Sequence, residues 1–352
     1  MTKQQIMYLG SVALLMASGV GAAAPKPVPV TRTVNPGQSI QAAVNAAKPG
    51  DTIQIAPGTY RESVQIAKSD LTLRGSGRST VIAAPAVKPA HTCGQAGNGI
   101  CVLGTSAKPV RNVRIESLRV LRAKKNGLWA SGTDRLSVRQ VTVDKSGNWG
   151  IATERSLRTE VVRNTARDNA ESGIFLSNTV DSEAGATDAR RAVVKENLMT
   201  GNRVGLTVRR LRNLTVEGNA FTANCAGVFL VGDEGVPRAG ALTVRRNWVH
   251  NNNKLCPKTA RLPVIQGAGI VLTGVERVTV EDNTVWGHAG SSPFAGGIVL
   301  FKSIVGAPNS GNVIRDNVLL NNATADLANR DTGKGNRFDG NFCRVSQPAG
   351  LC

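Results

Sequence analysis

The apolar residues follow a short repeated pattern over most of the chain. Each copy reads apolar-x-apolar-x-x-Asn and then, after a few residues, Gly-apolar-x-apolar; 214–230 (LTVEGNAFTANCAGVFL) is one copy. Apolar and polar positions alternate with a period of two, which predicts β-strands. The glycine before the second strand stands at 127, 150, 173, 205, 227, 269 and 297, so the basic repeat is 22 or 23 residues, lengthened by occasional insertions.

A repeat of this length is too short for two helices, but it fits three short strands with Gly and Asn at the corners. Coils of this kind stack by pairing each strand with its equivalent in the next coil. We therefore predict an all-β fold, a single parallel β-helix of about ten coils between Asp51 and Phe342. A short helix over 39–47, with Ser39 as its N-cap, is expected to cover the first coil.

Asparagine pairs five residues apart recur through the repeats. Asn tolerates left-handed backbone and hydrogen-bonds within its own turn, so these residues are expected at the corners. Stacked from coil to coil, they would form an amide ladder. A row of polar contacts to a ligand is the functional alternative. The pairs are Asn164/Asn169, Asn197/Asn202, Asn219/Asn224, Asn247/Asn252 and Asn317/Asn322.

The N-terminus has the layout of a secretory signal peptide over residues 1–24: Lys3, an apolar stretch, and three small residues at 22–24. A retained anchor is the alternative, although the stretch is short for a membrane span. Residues 25–34 are predicted to be a linker and 35–352 the β-helix domain. The expected location is therefore secreted, either extracellular or in the periplasm or cell envelope.

All six cysteines lie beyond residue 24, and an even number in an exported chain predicts disulfides. Free buried cysteines are the alternative. In a fold that keeps sequence neighbours close in space, sequential pairing is the simplest of the fifteen arrangements. The predicted bonds are Cys93–Cys101, Cys225–Cys256 and Cys343–Cys352.

Residues 35–82 resemble the opening of the right-handed parallel β-helix, or pectin-lyase-like, superfamily. The segments SIQAAVNAA, GDTIQIAPGTYRESV and LTLRG carry this resemblance, and they are similar to the openings of pectin esterases, alginate epimerases and carbohydrate-binding/sugar-hydrolysis repeat proteins. The resemblance implies a right-handed coil, but the superfamily includes lyases, hydrolases, esterases, epimerases and non-enzymatic adhesins. Fold alone does not choose among these activities.

The catalytic motifs of these relatives are absent from the sequence. There is no Gly-His-Gly element with clustered Asp, no Asp-Pro-His and no Arg-x-Pro-x-x-Arg. The resemblance therefore assigns no catalytic residue. Candidate residues have to come from the strand pattern itself.

The second strand of each repeat places alternate residues outward. One outward column is predicted to contain Trp129, Ala152, Phe175, Thr207, Phe229, Val271 and Val299. The next contains Ser131, Glu154, Ser177, Arg209, Val231, Thr273 and Phe301. The longest insertions leave from near this face, at 177–191, 231–241, 250–266 and 287–295, and we expect them to form the walls of a groove.

Aromatic faces stack on sugar rings, and Arg or Lys binds uronate or sulfate groups, so this face is a candidate carbohydrate site. The candidate substrate-binding residues are Trp129, Arg155, Phe175, Phe229, Asp233, Glu234 and Phe301. In a lyase, Arg209, Arg210 or Lys302 would be the base, and a neighbouring cation or Ca²⁺ would stabilise the enolate. In a hydrolase, Glu154 would pair with Asp233 or Glu234. The structural alternative is that the aromatic residues pack beneath the loops and the charges form ion pairs.

The net charge of +19 favours an acidic partner. Nucleic acid is disfavoured because the chain carries an export signal and no recognition module. The acidic insertion with Asp181, Glu183 and Asp188 is a candidate Ca²⁺ loop, although its spacing matches no known loop and a solvated loop is the simpler interpretation. The scattered His91, His250 and His288 predict no zinc site.

These observations lead to one functional hypothesis and one alternative. The chain is expected to be an exported monomer that engages an acidic polysaccharide on an outer sheet face, and a lyase is the favoured enzyme class. The alternative is a non-catalytic glycan-binding or structural protein of the cell envelope.

Overall fold

A computed structural model describes residues 28–260 and 262–352. The predicted signal peptide lies outside these residues. The chain winds through three parallel sheets in turn, named A, B and C, as the repeat predicts. Within the described residues, no helix is long and apolar enough to cross a membrane.

Sheet A contains twelve strands, each paired in parallel with the equivalent strand of the next coil. They are Thr31–Val34, Thr52–Ile55, Thr72–Arg74, Arg114–Glu116, Ser137–Arg139, Glu160–Val162, Thr187–Lys195, Leu211–Glu217, Gly240–Arg245, Thr279–Glu281, Val313–Arg315 and Arg337–Asp339.

Sheet B follows sheet A in each coil and contains ten strands. They are Gly58–Arg61, Thr80–Ala83, Arg119–Leu121, Thr142–Asp144, Thr165–Arg167, Leu198–Thr200, Ala220–Thr222, Trp248–His250, Thr284–Trp286 and Val318–Leu320.

Sheet C closes each coil and contains eleven strands. They are Val64–Ile66, Ile100–Leu103, Leu128–Ser131, Ile151–Glu154, Ser172–Ser177, Val204–Arg209, Ala226–Val231, Ala268–Thr273, Gly296–Phe301, Leu327–Arg330 and Ser346–Gln347. A small extra pair joins Val110–Arg111 to Thr133–Asp134.

The interior is a narrow column of aliphatic side chains. Sheet A contributes one stacked inward residue from each coil, so that Val138, Val161 and Val194 lie on one another and are fully buried. A core of this width has room for Val, Ile and Leu from three sides but for few large rings, which explains the low aromatic content. Phe221 is its largest fully buried side chain.

The predicted asparagine ladders are present at two of the three corners. Asn219 is a typical rung: its Oδ1 accepts from the backbone and side-chain nitrogens of Asn197, both at 2.9 Å. Its Nδ2 donates to Val194 O (2.9 Å) and Asn247 Oδ1 (3.0 Å). Because these buried groups satisfy one another, the ladder is structural, as expected. The first ladder comprises Asn164, Asn197, Asn219, Asn247, Asn283, Asn317 and Asn341.

The second ladder runs through Asn169, Asn202, Asn224, Asn252, His288 and Asn322. His288 replaces asparagine in one rung: its Nε2 accepts from Asn252 Nδ2 (3.0 Å) and its Nδ1 donates to Asn322 Oδ1 (2.8 Å). These partners fix the neutral tautomer, because one can only donate and the other can only accept. Complete burial lowers the pKa of His288 to about 4.

The first coil is closed as predicted by the helix Ile40–Ala46. Ser39 caps it by accepting from Ala42 N at 3.2 Å, and Ile40 and Val44 are buried. Two further helical turns are the short helix Thr92–Gln95 and the 3₁₀ turn Gly77–Ser79. The β-helix begins earlier than predicted, because Thr31–Val34, placed in the linker from sequence, pairs with Thr52–Ile55.

The three disulfides have the sequential pairing that the sequence predicts: Cys93–Cys101, Cys225–Cys256 and Cys343–Cys352. The first ties the insertion after sheet B to the strand Ile100–Leu103. The second ties the long insertion 251–267 to the side of the coil. The third links the last residue to Cys343, so it closes the C-terminal tail into a loop.

Candidate functional site

The outer face of sheet C has the register that the sequence predicts. Trp129, Ala152, Phe175, Thr207, Phe229, Val271 and Val299 are paired in sequence, coil on coil, in one column. Ser131, Glu154, Ser177, Arg209, Val231, Thr273 and Phe301 form the next. The face has two parts. In the "covered half", from Ala226–Val231 to Gly296–Phe301, insertions pack on the sheet; the "open half" extends from Leu128–Ser131 to Val204–Arg209.

In the covered half, the insertions form a lid instead of the walls expected from the sequence. Phe294, in the insertion 287–295, contacts Phe229 (5.2 Å between ring centroids) and Phe301 (4.7 Å), both edge to face. Phe229 is consequently only 4% exposed, and Phe301 is half-buried. The outward side chains here include Ala226, Val271 and Ala268, and an apolar surface of this kind is stabilised by a cover. Phe229 and Phe301 therefore pack beneath the loops.

In the open half, three aromatic rings stack along the coil axis. Trp149 lies against Phe175 with ring centroids 4.1 Å apart and planes 3° from parallel. Trp129 stacks on the other side of Trp149, with ring centroids 5.9 Å apart and planes 19° from parallel. Trp129 and Trp149 are partly exposed and no ring of the described insertions packs on them, whereas Phe175 is buried beneath them. The two indoles therefore form an accessible aromatic surface.

Glu154 lies in the same open half but is buried. Its carboxylate accepts from Ser131 Oγ (3.2 Å) and from the backbone of Val180 (3.0 Å), and it forms an ion pair with the exposed Arg155 at 3.1 Å. Glu154 thus anchors the loop 178–186 at the end of the sheet C strands. Arg155 remains accessible beside it.

Arg210 and Asp233 hold the other side of the same loop. Arg210, 4% exposed, forms ion pairs with Asp233 and Glu183 and donates to Ser182 O at 2.8 Å. These contacts tie 178–186 to the loop after Ala226–Val231. Glu183, proposed from sequence for a Ca²⁺ loop, is instead an ion-pair partner of Arg210, and Asp188 accepts from the backbone of Arg190 at 2.7 Å.

The remaining candidates are spread along the face. Arg209 is half-buried in the column next to Ser177, within the open half. Glu234 and Lys302 are exposed. Lys302 follows Phe301, three coils from Arg209, or about 14 Å along the axis. The open half contains Trp129, Glu154, Arg155, Phe175 and Arg209, whereas Lys302 and Glu234 lie outside it. Trp129 and Arg209 stand at its two ends, also three coils apart.

Two residues of the open half were missed from sequence, Trp149 and Glu171. Glu171 N donates to Asn148 O at 3.0 Å, so Glu171 lies one coil from the residue that precedes Trp149. Burial raises the pKa of Glu171, although Arg203 lies 3.7 Å away and acts in the opposite direction. Alternation counted back from the outward Ala152 gives Gly150 and Asn148, so the period-two pattern carried no signal for Trp149.

A second exposed aromatic group lies on sheet B. Trp248 is 57% exposed, and the neighbouring His250 and Trp286 rings are parallel at 5.2 Å. Burial lowers the pKa of His250. The repeat carried a signal for this group, because NWVH and NTVW place these residues at outward positions of adjacent strands.

Two family models match the chain. That of the right-handed β-helix region matches residues 87–239, and that of NosD, a periplasmic copper-binding protein, matches residues 178–346. No curated protein matches the chain in sequence.

Several solved structures are similar to the chain. The A-module of mannuronan C-5 epimerase AlgE6 from Azotobacter vinelandii has a TM-score of 0.62 and 19% identity, covering 86% of this chain and 88% of that one. The AlgE4 A-module from the same organism has a TM-score of 0.60 and 19% identity, covering 88% of this chain and 91% of that one. DFA-IIIase from Arthrobacter chlorophenolicus A6 has a TM-score of 0.58 and 15% identity, covering 90% of this chain and 98% of that one. With three parallel sheets wound into stacked coils, the chain has the right-handed parallel β-helix fold.

Proposed function

We propose that the chain binds a polysaccharide across the open half of the outer face of sheet C. The observation that carries this proposal is the three-ring stack, in which Trp129 and Trp149 remain partly exposed above the buried Phe175. Sugar rings present apolar C–H faces that pack on indole. The stack lies on a flat sheet next to a loop fixed by Glu154 and Arg210, so the platform is pre-organised for a ligand.

The charges around the stack favour an acidic polymer. Arg155 is exposed at one end of the strands and Arg209 lies in the adjacent column. Lys124 and Lys125 are exposed at the corner that leads into Leu128–Ser131. The chain as a whole carries +19. Two of the similar structures are mannuronan epimerases, whose substrate by name is a polyuronate.

Acid–base chemistry on the same polymer is the second candidate function. It is supported by the location of Glu171 next to the stack, where burial raises the pKa of its carboxyl and so favours the protonated acid form that proton transfer to a substrate needs. Arg209 and Arg155 would then hold the uronate carboxylate, while Glu154 keeps the loop in place. A lyase or an epimerase would each begin by removing the proton next to that carboxylate.

Copper binding, suggested by the NosD description, does not fit the donor atoms of this chain. Copper sites in proteins use His, Cys and Met ligands. Here every cysteine is in a disulfide, and the described residues contain no group of three His, Cys, Asp or Glu side chains that could hold a metal. His288 is enclosed in the ladder and His91 is engaged with Gly94 N and Ser63 O.

Export to the periplasm or the cell exterior is part of the proposal. It is supported by the three disulfides, which persist in oxidising compartments, and by the periplasmic NosD description. The polymer would then be a glycan of the envelope or its surroundings.

Titration calorimetry with polygalacturonate and alginate, with dextran as the neutral control, tests the binding proposal. Trp129→Ala/Trp149→Ala should weaken binding by about 10- to 100-fold, because each ring contributes about 1 kcal/mol. Trp248→Ala, which removes an exposed indole from sheet B, is the matched control and should bind like the wild type. Equal losses in both variants, or no binding to either acidic polymer, would contradict the proposal.

The ultraviolet absorbance of unsaturated uronate ends separates a lyase from a binding protein. If Glu171 exchanges the proton, Glu171→Gln should abolish the signal while affinity for the polymer stays within a few-fold. An epimerase would leave the absorbance flat but change the C-5 configuration, which proton NMR of the product detects. A flat trace with an unchanged spectrum would leave binding as the function.

A further inference from the structure

A second surface, on the far side of the corner between sheets C and A, is lined by arginine. The larger of two adjoining grooves there has a volume of about 650 Å³ and includes Arg114, Arg135, Arg139, Arg158, Arg190 and Arg191, against only Glu116 and Glu160. The smaller, of about 630 Å³, shares Arg158, Arg190 and Arg191 with it, so the two are continuous. We call them together the arginine groove.

The acidic groups of the arginine groove are already engaged. Glu116 forms an ion pair with Arg74 at 2.6 Å and Glu160 with Arg139. Asp188, the carboxylate of the smaller groove, accepts from the backbone nitrogen of Arg190 at 2.7 Å. Asp134, below the groove, binds Arg158. Within residues 28–260 and 262–352, by contrast, no carboxylate lies within ion-pair distance of the other arginines of the groove, which are Arg114, Arg135, Arg190 and Arg191. All four are exposed.

Three of these arginines occupy costly backbone positions. Arg135, Arg190 and Arg191 have φ of 58°, 52° and 63°, and Arg158 next to them has 50°. The left-handed region is much better tolerated by Gly or Asn, and Gly311 and Asn213 take the equivalent corner in other coils. Left-handed arginines also occur outside the groove, for example at Arg122 and Arg246. What distinguishes the groove is that Arg135, Arg158 and Arg191 occupy the same corner in three successive coils.

The shape of the groove fits a linear polymer. It extends from the strand Arg114–Glu116 to the strand Gly240–Arg245, five coil steps or about 24 Å along the axis. The floor of the smaller groove carries Thr215 and Thr243, which offer hydroxyls. Neither of the two grooves has an aromatic side chain in its lining, whereas single-stranded nucleic acid is usually held by base stacking on aromatic residues.

We propose that the arginine groove binds a linear acidic polysaccharide through charge, as a second contact separate from the aromatic stack on sheet C. The choice of an acidic glycan rests on the proposed function; the polyanion site itself rests on the unpaired arginines. Guanidinium groups bind carboxylate and sulfate with two parallel hydrogen bonds and stay charged at all ordinary pH values. Together, the two surfaces would let one protein hold two chains or two segments of one chain.

The salt dependence of binding tests this inference. Polygalacturonate and heparin are titrated against the wild type and against R114Q/R135Q/R190Q/R191Q over a range of NaCl concentrations. The variant should bind at least tenfold more weakly at low salt, and its slope of log K against log salt should fall by up to about four counterions. The matched control, R61Q/R122Q/R337Q/R344Q, removes four exposed arginines from elsewhere and should keep most of the slope.

The outcomes separate the two proposals. An arginine-groove variant that binds like its matched control would overturn this inference, whatever happens at the stack. A Trp129→Ala/Trp149→Ala protein that binds like the wild type would instead overturn the proposed function. Tighter binding of single- or double-stranded DNA than of either glycan, lost in the arginine-groove variant alone, would overturn the assignment of a glycan. Circular dichroism and melting curves establish that each variant is folded.

Discussion

The two halves of the sheet C outer face share a backbone but differ in what lies on it. In the covered half, Phe229 and Phe301 are packed under Phe294 and the insertions. In the open half, Trp129 and Trp149 are equally aromatic but stack only on each other and on Phe175, and they remain partly exposed. The comparison shows that an outward aromatic residue on a β-helix is either core or contact surface, depending on whether an adjacent insertion is fixed over it.

The disulfide Cys225–Cys256 should be the largest contributor to this difference. Replacing both cysteines with alanine frees the insertion 251–267, and the loop-entropy model gives a loss of about 3–4 kcal/mol in the free energy of unfolding. Ile265 of that insertion and the sheet residues that share its cluster, Ala226 and Ala268, should then become accessible to a hydrophobic dye, so this part of the covered half would come to resemble the open one. Urea denaturation with dye fluorescence measures both. An unchanged midpoint and no dye binding would mean that packing alone holds the lid.

Phe294→Ala should cost about 3 kcal/mol in stability, because a buried ring that contacts two others is lost from the lid. Polymer affinity should be unchanged, since the open half is untouched. Thermal melting and calorimetry on the same sample test both statements. A parallel loss of affinity would show that the two halves form one site.

Acidification should destabilise the covered half through His288, which lies at the start of the insertion 287–295. The folded state holds this imidazole neutral, with a pKa of about 4, so the unfolded chain binds the proton more readily. The contribution of His288 to stability is therefore intact above about pH 6.5 and is lost as the pH falls toward 4, on the order of 3 kcal/mol. Denaturation at a series of pH values measures it.

His288→Asn is the control for that pH dependence. It restores the residue found in the other rungs of the ladder, so it should keep the fold and flatten the pH curve between 6.5 and 4. A curve as steep as that of the wild type would assign the pH dependence to other groups.

Trp129→Ala should have the smallest effect on stability, below about 1 kcal/mol, because the ring is half-exposed and stacks on one neighbour at 5.9 Å. It should nevertheless weaken binding of the acidic polymer several-fold. This is the reverse of the result expected for Phe294→Ala. A large loss of stability would place Trp129 with the core residues.

The sequence was sufficient to predict whatever depends on the repeat. The alternation placed both outward columns in correct register, the asparagine spacing predicted the ladders, and the cysteine order predicted the three bonds. These features are local or recur at each coil, so each copy reinforces the pattern. The strand Thr31–Val34 was missed because it lies before the first recognisable copy.

The fate of individual side chains could not be predicted, because it depends on contacts made by irregular segments. Arg209 and Arg210 are adjacent, yet one stays in an outward column and the other turns beneath a loop to meet Glu183 and Asp233. The insertions carry no periodic signal, so nothing indicated that Phe294 would lie on Phe229. The arginine groove was visible only as the pair Arg190-Arg191, since its other members come from different coils.

The corners of the coil differ in the freedom they leave to sequence length. From Arg114–Glu116 onward, every connection from sheet A to sheet B has two residues, of which the second points into the core. The long insertions all leave from the two corners that border sheet C. Segments could therefore be gained, lost or exchanged around that sheet while the hydrogen-bonded frame stays the same. Such a scaffold can acquire a new specificity by changing its loops, and the same corners are the natural places to graft loops by design.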